Sequence, residues 1–265
     1  MRLVGLLILC PVLLSAVGCG GGNATYLVPA RLDKGLVIIL PGIEGESPLN
    51  HEIRNGLDQA GVGRALPIYS WGRPIPVAGP LINQIDFLGN RLAGGRVADF
   101  IVNYQRAHPG KPVHLVGHSG GGGVAVFAAE ALPEGSRVDG LVLLSASISR
   151  TYNLTKALGR TRNGIVNYYS RADVGILVIG TLIAGNVDGA HGPAAGALGF
   201  VTPDSDEAPA KVAAYRKLHQ VELTEEMTGG GGVHASSANR GFVRKHVSAW
   251  IFADAWPPTT TVASR

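Results

Sequence analysis

Cysteine is nearly absent from this chain: two among 265 residues, Cys10 and Cys19, both close to the N-terminus. Removal of a leader leaves at most one, which excludes an internal disulfide framework. No metal-ligand spacing occurs among the eight histidines, so no metal is expected. Charge is scarce as well, at 16% of residues, and the lysines and arginines behind the formal +4 are scattered. That is the pattern of a solvated surface and not of a nucleic-acid face. The 38 glycines gather at "CGGGN", "GHSGGGG" and "TGGGGVH" without a period, which excludes collagen-like and solenoid architectures. No linker divides the chain. What it has in quantity is apolar side chain, 46% of residues, enough for one large core.

The N-terminus carries the longest apolar run, "LVGLLILCPVLLSAVG" behind Met1-Arg2. It is shorter than the ~20 residues of a membrane span and suits a signal peptide over 1–18. Ala16 and Gly18 lie three and one positions before Cys19, the small-residue spacing of a cleavage site. The stretch also resembles a bacterial lipobox, with Ala16 where leucine is usual. That resemblance implies export to the cell envelope and a lipid anchor on Cys19; plain secretion is the alternative. Residues 19–33 then read as a tether, 34–256 as the folded domain and 257–265 as a loose tail.

From Lys34 onward strands alternate with helices. "GLVIILP" (35–41), "VHLVG" (113–117), "VDGLVLLSASI" (138–148) and "GIVNYYS" (164–170) are short apolar runs suited to buried parallel strands. "RALPIYSW" (64–71) is a strand broken by Pro67 and therefore peripheral. A last strand is expected near "LHQVEL". Helices are expected over 47–61, from a Ser cap and a Pro at the first position, over 85–110 from a helical apolar stripe, and over 121–133, 152–160 and 238–252. The result is an α/β fold: a mostly parallel sheet of about six strands, helices on both faces.

The stretch "VHLVGHSGGGG" poses the functional question. A strand, a tight glycine turn and a helix can cradle a phosphate or present a nucleophile. For a dinucleotide, an acidic residue should end the next strand; Asp139 begins it, and the strand end carries "SAS". No Lys-Ser or Lys-Thr follows the glycines, which excludes a Walker loop. The nucleophile reading fits Gly117-His118-Ser119-Gly120-Gly121, a G-x-S-x-G elbow. A serine on a sharp turn needs small residues two before and two after it. The helix that follows aims its N-terminus at the reacting centre, and the Gly120 N–H can receive an oxyanion.

With that elbow the chain resembles the α/β-hydrolase family over about residues 35–255. The resemblance implies an oxyanion loop before the serine, then an acid, then a histidine. "IILPGIEGES" stands where the loop belongs, with the Ile43 N–H as second donor; Glu44 beside it must point away from a developing negative charge. Asp173, just after "NYYS", is the implied acid, with Asp188 in reserve and Asp139, Asp204 and Asp206 less well placed. His234, between the last strand and the closing helix, is the implied base. Of the other histidines, His191 is a candidate to line the site, and His51, His108, His114, His118, His219 and His246 lie in or beside elements.

These residues imply a serine hydrolase that cleaves carboxylic esters through Ser119, His234 and Asp173, without metal or cofactor. About 18 residues separate "SASI" from "IVNYYS", so the cap is expected to be small or absent. "VGILVIGTLIAG" (174–185) is a buried helix or an apolar wall for an acyl chain, the latter suited to lipid or other hydrophobic esters. The same triad serves thioesterases, amidases and acyltransferases, and the fold also occurs in non-catalytic binding modules.

Overall fold

The computed structural model describes residues 22–72, 83, 85–171, 185–229 and 233–259, the side chains of 233 and 234 excepted. Its centre is a parallel sheet of β1 (Leu36–Leu40), β2 (Val113–His118), β3 (Val138–Leu144), β4 (Thr161–Tyr169) and β5 (Leu218–Glu222), in that spatial order. β1 is a continuous apolar run, and β2 and β3 are largely apolar, because both faces are covered. Leu36, Ile38 and Leu40 of β1 enter one core, and Val37 and Ile39 enter the other. Helices α2 (Phe87–Ala107) and α3 (Gly120–Ala131) pack against each other over the first face. The second face is covered by α1 (Pro48–Gln59) and by the closing segments Arg240–Phe242, Val243–Val247 and Ser248–Phe252. The middle one of these closing segments is a turn of π-helix.

The broken strand at Pro67 is present as two bridges outside β1, Leu36 with Ala65 and Ile39 with Ile68. Val37 N–H donates to Ala65 O at 2.8 Å, Ile39 N–H to Pro67 O at 2.9 Å, and Tyr69 N–H to Ile39 O at 2.8 Å. The bond missing from this ladder is the one that residue 67 would donate. Proline has no N–H, so a sixth strand is reduced to an interrupted edge.

Residues 22–33, assigned above to the tether, are built into the domain. Asn23 is buried, 45 residues from Ile68 in sequence, and pairs with it as a strand would: Nδ2 donates to Ile68 O and Oδ1 accepts from Ile68 N–H, both at 2.9 Å. The outward edge beside Pro67 is thereby capped. Arg54 secures the segment, donating to Gly22 O and Asn23 Oδ1 at 3.2 Å while its guanidinium lies over the Tyr26 ring. The start of the tail is also tied down, with Thr259 N–H and Oγ1 both donating to Arg216 O.

One polar group is sealed into the second face. His114 on β2 is buried, and its Nδ1 lies 3.1 Å from Arg64 Nη1. Burial first, and the Arg64 charge second, push its pKa down to about 3. The ring is therefore a neutral acceptor when folded, whereas the unfolded chain takes up the proton near pH 6.5. With the folded pKa depressed, the stability is fully present above pH 6.5 and is lost as pH falls towards 3, by up to ~1.4 kcal/mol per pH unit. The urea midpoint is expected to fall steadily from pH 6.5 to 4 and to fall less in His114→Gln. Equal pH slopes in the two proteins would rule this out.

The sheet topology also fixes where a site can form. From β1 the chain steps outward to the 65–69 edge, then returns to β2 on the other side of β1. Strand order reverses at that point, at the carboxyl ends of β1 and β2, which is where open α/β sheets place their sites.

Candidate active site

Ser119 follows the last residue of β2 and precedes the first residue of α3. Its backbone, φ 52° and ψ −123°, lies in a region that side-chain-bearing residues rarely occupy. Three bonds hold it there: Ser119 N–H donates to Leu144 O at 2.9 Å, and Ser119 O accepts from Gly122 N–H at 3.0 Å and Ser147 N–H at 2.9 Å. The glycines around it answer the steric demand read from the sequence. A Cβ on Gly117 would lie 2.5 Å from Gly121 O, and one on Gly121 would run into the carbonyl oxygens of Leu40 and Pro41. Four glycines at the start of α3 are poor helix formers, each about 1 kcal/mol worse than alanine. They are tolerated because every residue from Gly120 to Ala129 is buried, with Gly122 against Ala146 and Gly123 against Val187.

The loop after β1 lies beside this helix start. A Cβ on Gly120 would lie 2.8 Å from Ile43 Cγ2 and 3.4 Å from Ile43 N, so Ile43, including its backbone nitrogen, packs directly on Gly120. As the first residue of α3, Gly120 has no intrahelical acceptor for its N–H. Two side chains fix the loop: Trp71 Nε1 donates to Pro41 O at 2.7 Å, and Asn83 Nδ2 to Ile43 O at 2.9 Å. Asn83 is held in turn, its carbonyl accepting from Asn90 Nδ2 at 2.9 Å. Glu44 is exposed, and its Oε1 accepts from Ser47 Oγ at 3.3 Å.

The residues after β3 form the third part. Ser119 and Ser145 are the two non-glycine residues with positive φ among those described, at 52° and 47°. Each is one residue beyond the paired positions His118 and Leu144, so they are neighbours across the sheet end. The buried Ser145 hydroxyl shares a hydrogen bond of 3.1 Å with that of Ser237. Ser237 directly follows the helical turn Val233–Ser236, whose backbone carries His234. That turn is thereby tied to the strand end beside Ser119.

Of the expected residues, Gly117, His118, Ser119, Gly120, Gly121 and Ile43 come together at the carboxyl end of β2. The reserve acid Asp188 follows Val187, which packs on Gly123, and its Oδ1 accepts from Ser149 N–H at 3.1 Å. Burial raises its pKa, and the Ser149 bond opposes the rise. Asp139 lies at the opposite end of the sheet, accepting from Val113 N–H. Cys19, the leader over 1–18, Asp173 and the apolar segment from 174 to 184 lie outside the described residues, as does the His234 side chain. Between β3 and β4 the one helix is Thr155–Gly159. Among the described residues no three His, Cys, Asp or Glu side chains are grouped to hold a metal ion.

Sequence reasoning missed Trp71, Asn83, Ser145 and Ser237. The "SAS" at the strand end was visible as an oddity, but its partner is 92 residues away. For Asn83 no local signal exists, since its role depends on a loop 40 residues earlier.

A family profile described as the alpha/beta hydrolase fold matches residues 35–173, just over half of the chain. No curated protein matches it. Similar solved structures include a dienelactone hydrolase from Anabaena variabilis, at 15% identity and TM-score 0.48, covering 82% of this chain and 85% of that one. The esterase domain of a Rhodothermus marinus protein is similar at 12% identity and TM-score 0.42, with 84% and 88% covered. Esterase PE8 is similar at 14% identity and TM-score 0.44, with 74% and 87% covered.

Proposed function

The chain belongs to the α/β-hydrolase family, and from that premise we propose that it is a serine hydrolase cleaving carboxylic esters. The observation that carries this reading is the strained backbone of Ser119, held at the carboxyl end of β2 between glycines that no larger residue could replace. Strain of this kind costs about 1–3 kcal/mol and persists where function requires it.

The chemistry runs as follows. His234 takes the Ser119 proton as Oγ attacks the ester carbonyl, and Asp173 steadies the imidazolium. The oxyanion is received by the N–H groups of Ile43 and Gly120, each such donor being worth ~3 kcal/mol. The C–O bond to the alcohol breaks as His234 returns the proton to it. Water, deprotonated by the same ring, then releases the acid and restores Ser119. The proximity of Ile43 N to Gly120 supports the oxyanion assignment. The tie between Ser145 and Ser237 supports the placing of the base.

The substrate class is hydrophobic esters, and the enzyme acts at the cell envelope through a lipid anchor on Cys19. The first part is motivated by Ile85, Phe87, Leu88 and Leu92, all exposed around the start of α2 beside Asn83. One experiment addresses the whole reading. A fluorophosphonate probe is expected to label Ser119 in the membrane fraction, the Cys19→Ser protein should label in the soluble fraction, and longer p-nitrophenyl esters should be preferred over acetate. An unlabelled wild-type protein would sink the hydrolase reading. Labelling confined to soluble protein would sink the anchor, and a preference for acetate the hydrophobic substrate.

A further inference from the structure

We infer that Ser145 and Ser237 are positioning residues, a buried hydroxyl pair that ties the segment bearing the base to the nucleophile's turn. The inference rests on the reading of Ser119 and His234 given above. Three observations converge on it. First, loop 145–147 is bonded to the nucleophile's own backbone, through Ser147 N–H to Ser119 O at 2.9 Å; the residue just before the loop, Leu144, accepts from Ser119 N–H. Second, Ser145 is fully buried at φ 47°, a conformation adverse for any residue with a side chain. Glycine would relieve that strain, yet a serine stands there. Third, its hydroxyl meets Ser237 Oγ at 3.1 Å across 92 residues of sequence.

The surroundings leave loop 145–148 little freedom. Gly196 packs so tightly on Ser145 that a Cβ there would overlap the Ser145 backbone. Gly196 N–H donates to Ala146 O at 2.9 Å, and Ala195 N–H to Ile148 O at 2.8 Å. The loop is thus a rigid mount with the nucleophile on one side. Ser237 connects the base's turn to that mount, next to Ala238, which is anchored in the second core. The physical need is plain. A base on a loop that follows four glycines must still come within hydrogen-bond reach of Ser119, and an error near 1 Å costs about 100-fold in rate.

The test uses the full chain with Ser145→Gly, Ser237→Ala, the double variant and Ser237→Thr. Ser145→Gly removes the hydroxyl while suiting the positive φ, so loss of folding does not obscure the result. Each hydroxyl deletion should lower kcat and the fluorophosphonate labelling rate about 10- to 100-fold with KM unchanged. The double variant should be no worse than the weaker single one, and Ser237→Thr should recover most of the rate. In a His234→Ala background, Ser237→Ala should have no further effect. Wild-type rates in the deletion variants, or an undiminished effect without His234, would overturn the inference while leaving the hydrolase reading intact. A wild-type protein that never labels would overturn both.

Discussion

Ser119→Ala is expected to lower kcat for p-nitrophenyl esters by ~10^5- to 10^6-fold, with the fold and thermal midpoint nearly unchanged. Alanine keeps the backbone bonds to Leu144, Gly122 and Ser147, and it keeps Ile43 and Gly120 in place, so the oxyanion donors survive. What disappears is the covalent route through the acyl-enzyme. His234→Ala should cost nearly as much, and the double variant little more than either, because nucleophile and base act as one unit. Residual catalysis from the remaining donors alone is expected at ~10^3- to 10^4-fold over water. Steady-state rates on protein titrated for active sites give the measurement. A Ser119→Ala enzyme within tenfold of wild type would mean that another group performs the attack.

Gly121→Ala should produce one of the large losses of stability that a single added methyl group can cause here. Its Cβ would run into the carbonyl oxygens of Leu40 and Pro41, which are backbone atoms with no rotamer to give way. Helix α3 must move off the end of β1, and the Ile43 loop moves with it. A cost above ~4 kcal/mol is expected, among the largest that point substitutions show. At ~2–4 °C per kcal/mol for a domain of this size, the thermal midpoint should fall by roughly 10 °C or more. Gly95→Ala, also in a helix, provides the opposite control. A Cβ there meets nothing within 4 Å, so alanine should stabilise by ~0.5–1 kcal/mol. Calorimetry of the two variants decides the matter, and equal midpoints would refute the packing account of the elbow.

The two glycines show which parts of this molecule could be read in advance. Gly121 was legible because its constraint is nearly local: a serine on a sharp strand-to-helix turn restricts positions two residues away, and "GHSGG" displays that restriction in one line. The strands were legible for a similar reason. Burial on both faces favours near-continuous apolar runs, which β1 has without a break and β2 and β3 have apart from His114, His118 and Asp139. Pro67 announced an edge strand, and the structure adds that the missing N–H leaves five strands with a broken sixth.

The remaining features depended on partners far apart in sequence. A tether was read over 19–33 because "GGGN" is flexible in isolation, yet Asn23 finds a free strand edge at Ile68 and becomes part of the sheet. Ser145 and Ser237 are ordinary residues until β3 and the closing segments bring them within 3.1 Å. By itself the sequence determined the parallel α/β architecture and the sharp glycine-lined turn at Ser119, because steric and burial rules act over a few neighbouring residues. Only the tertiary structure decided how the sheet edge is capped, what anchors the loop of Ile43 and what ties the turn Val233–Ser236 to the strand end beside Ser119. Those are hydrogen bonds between distant segments, and a polar side chain carries no local mark of the partner that folding will bring to it.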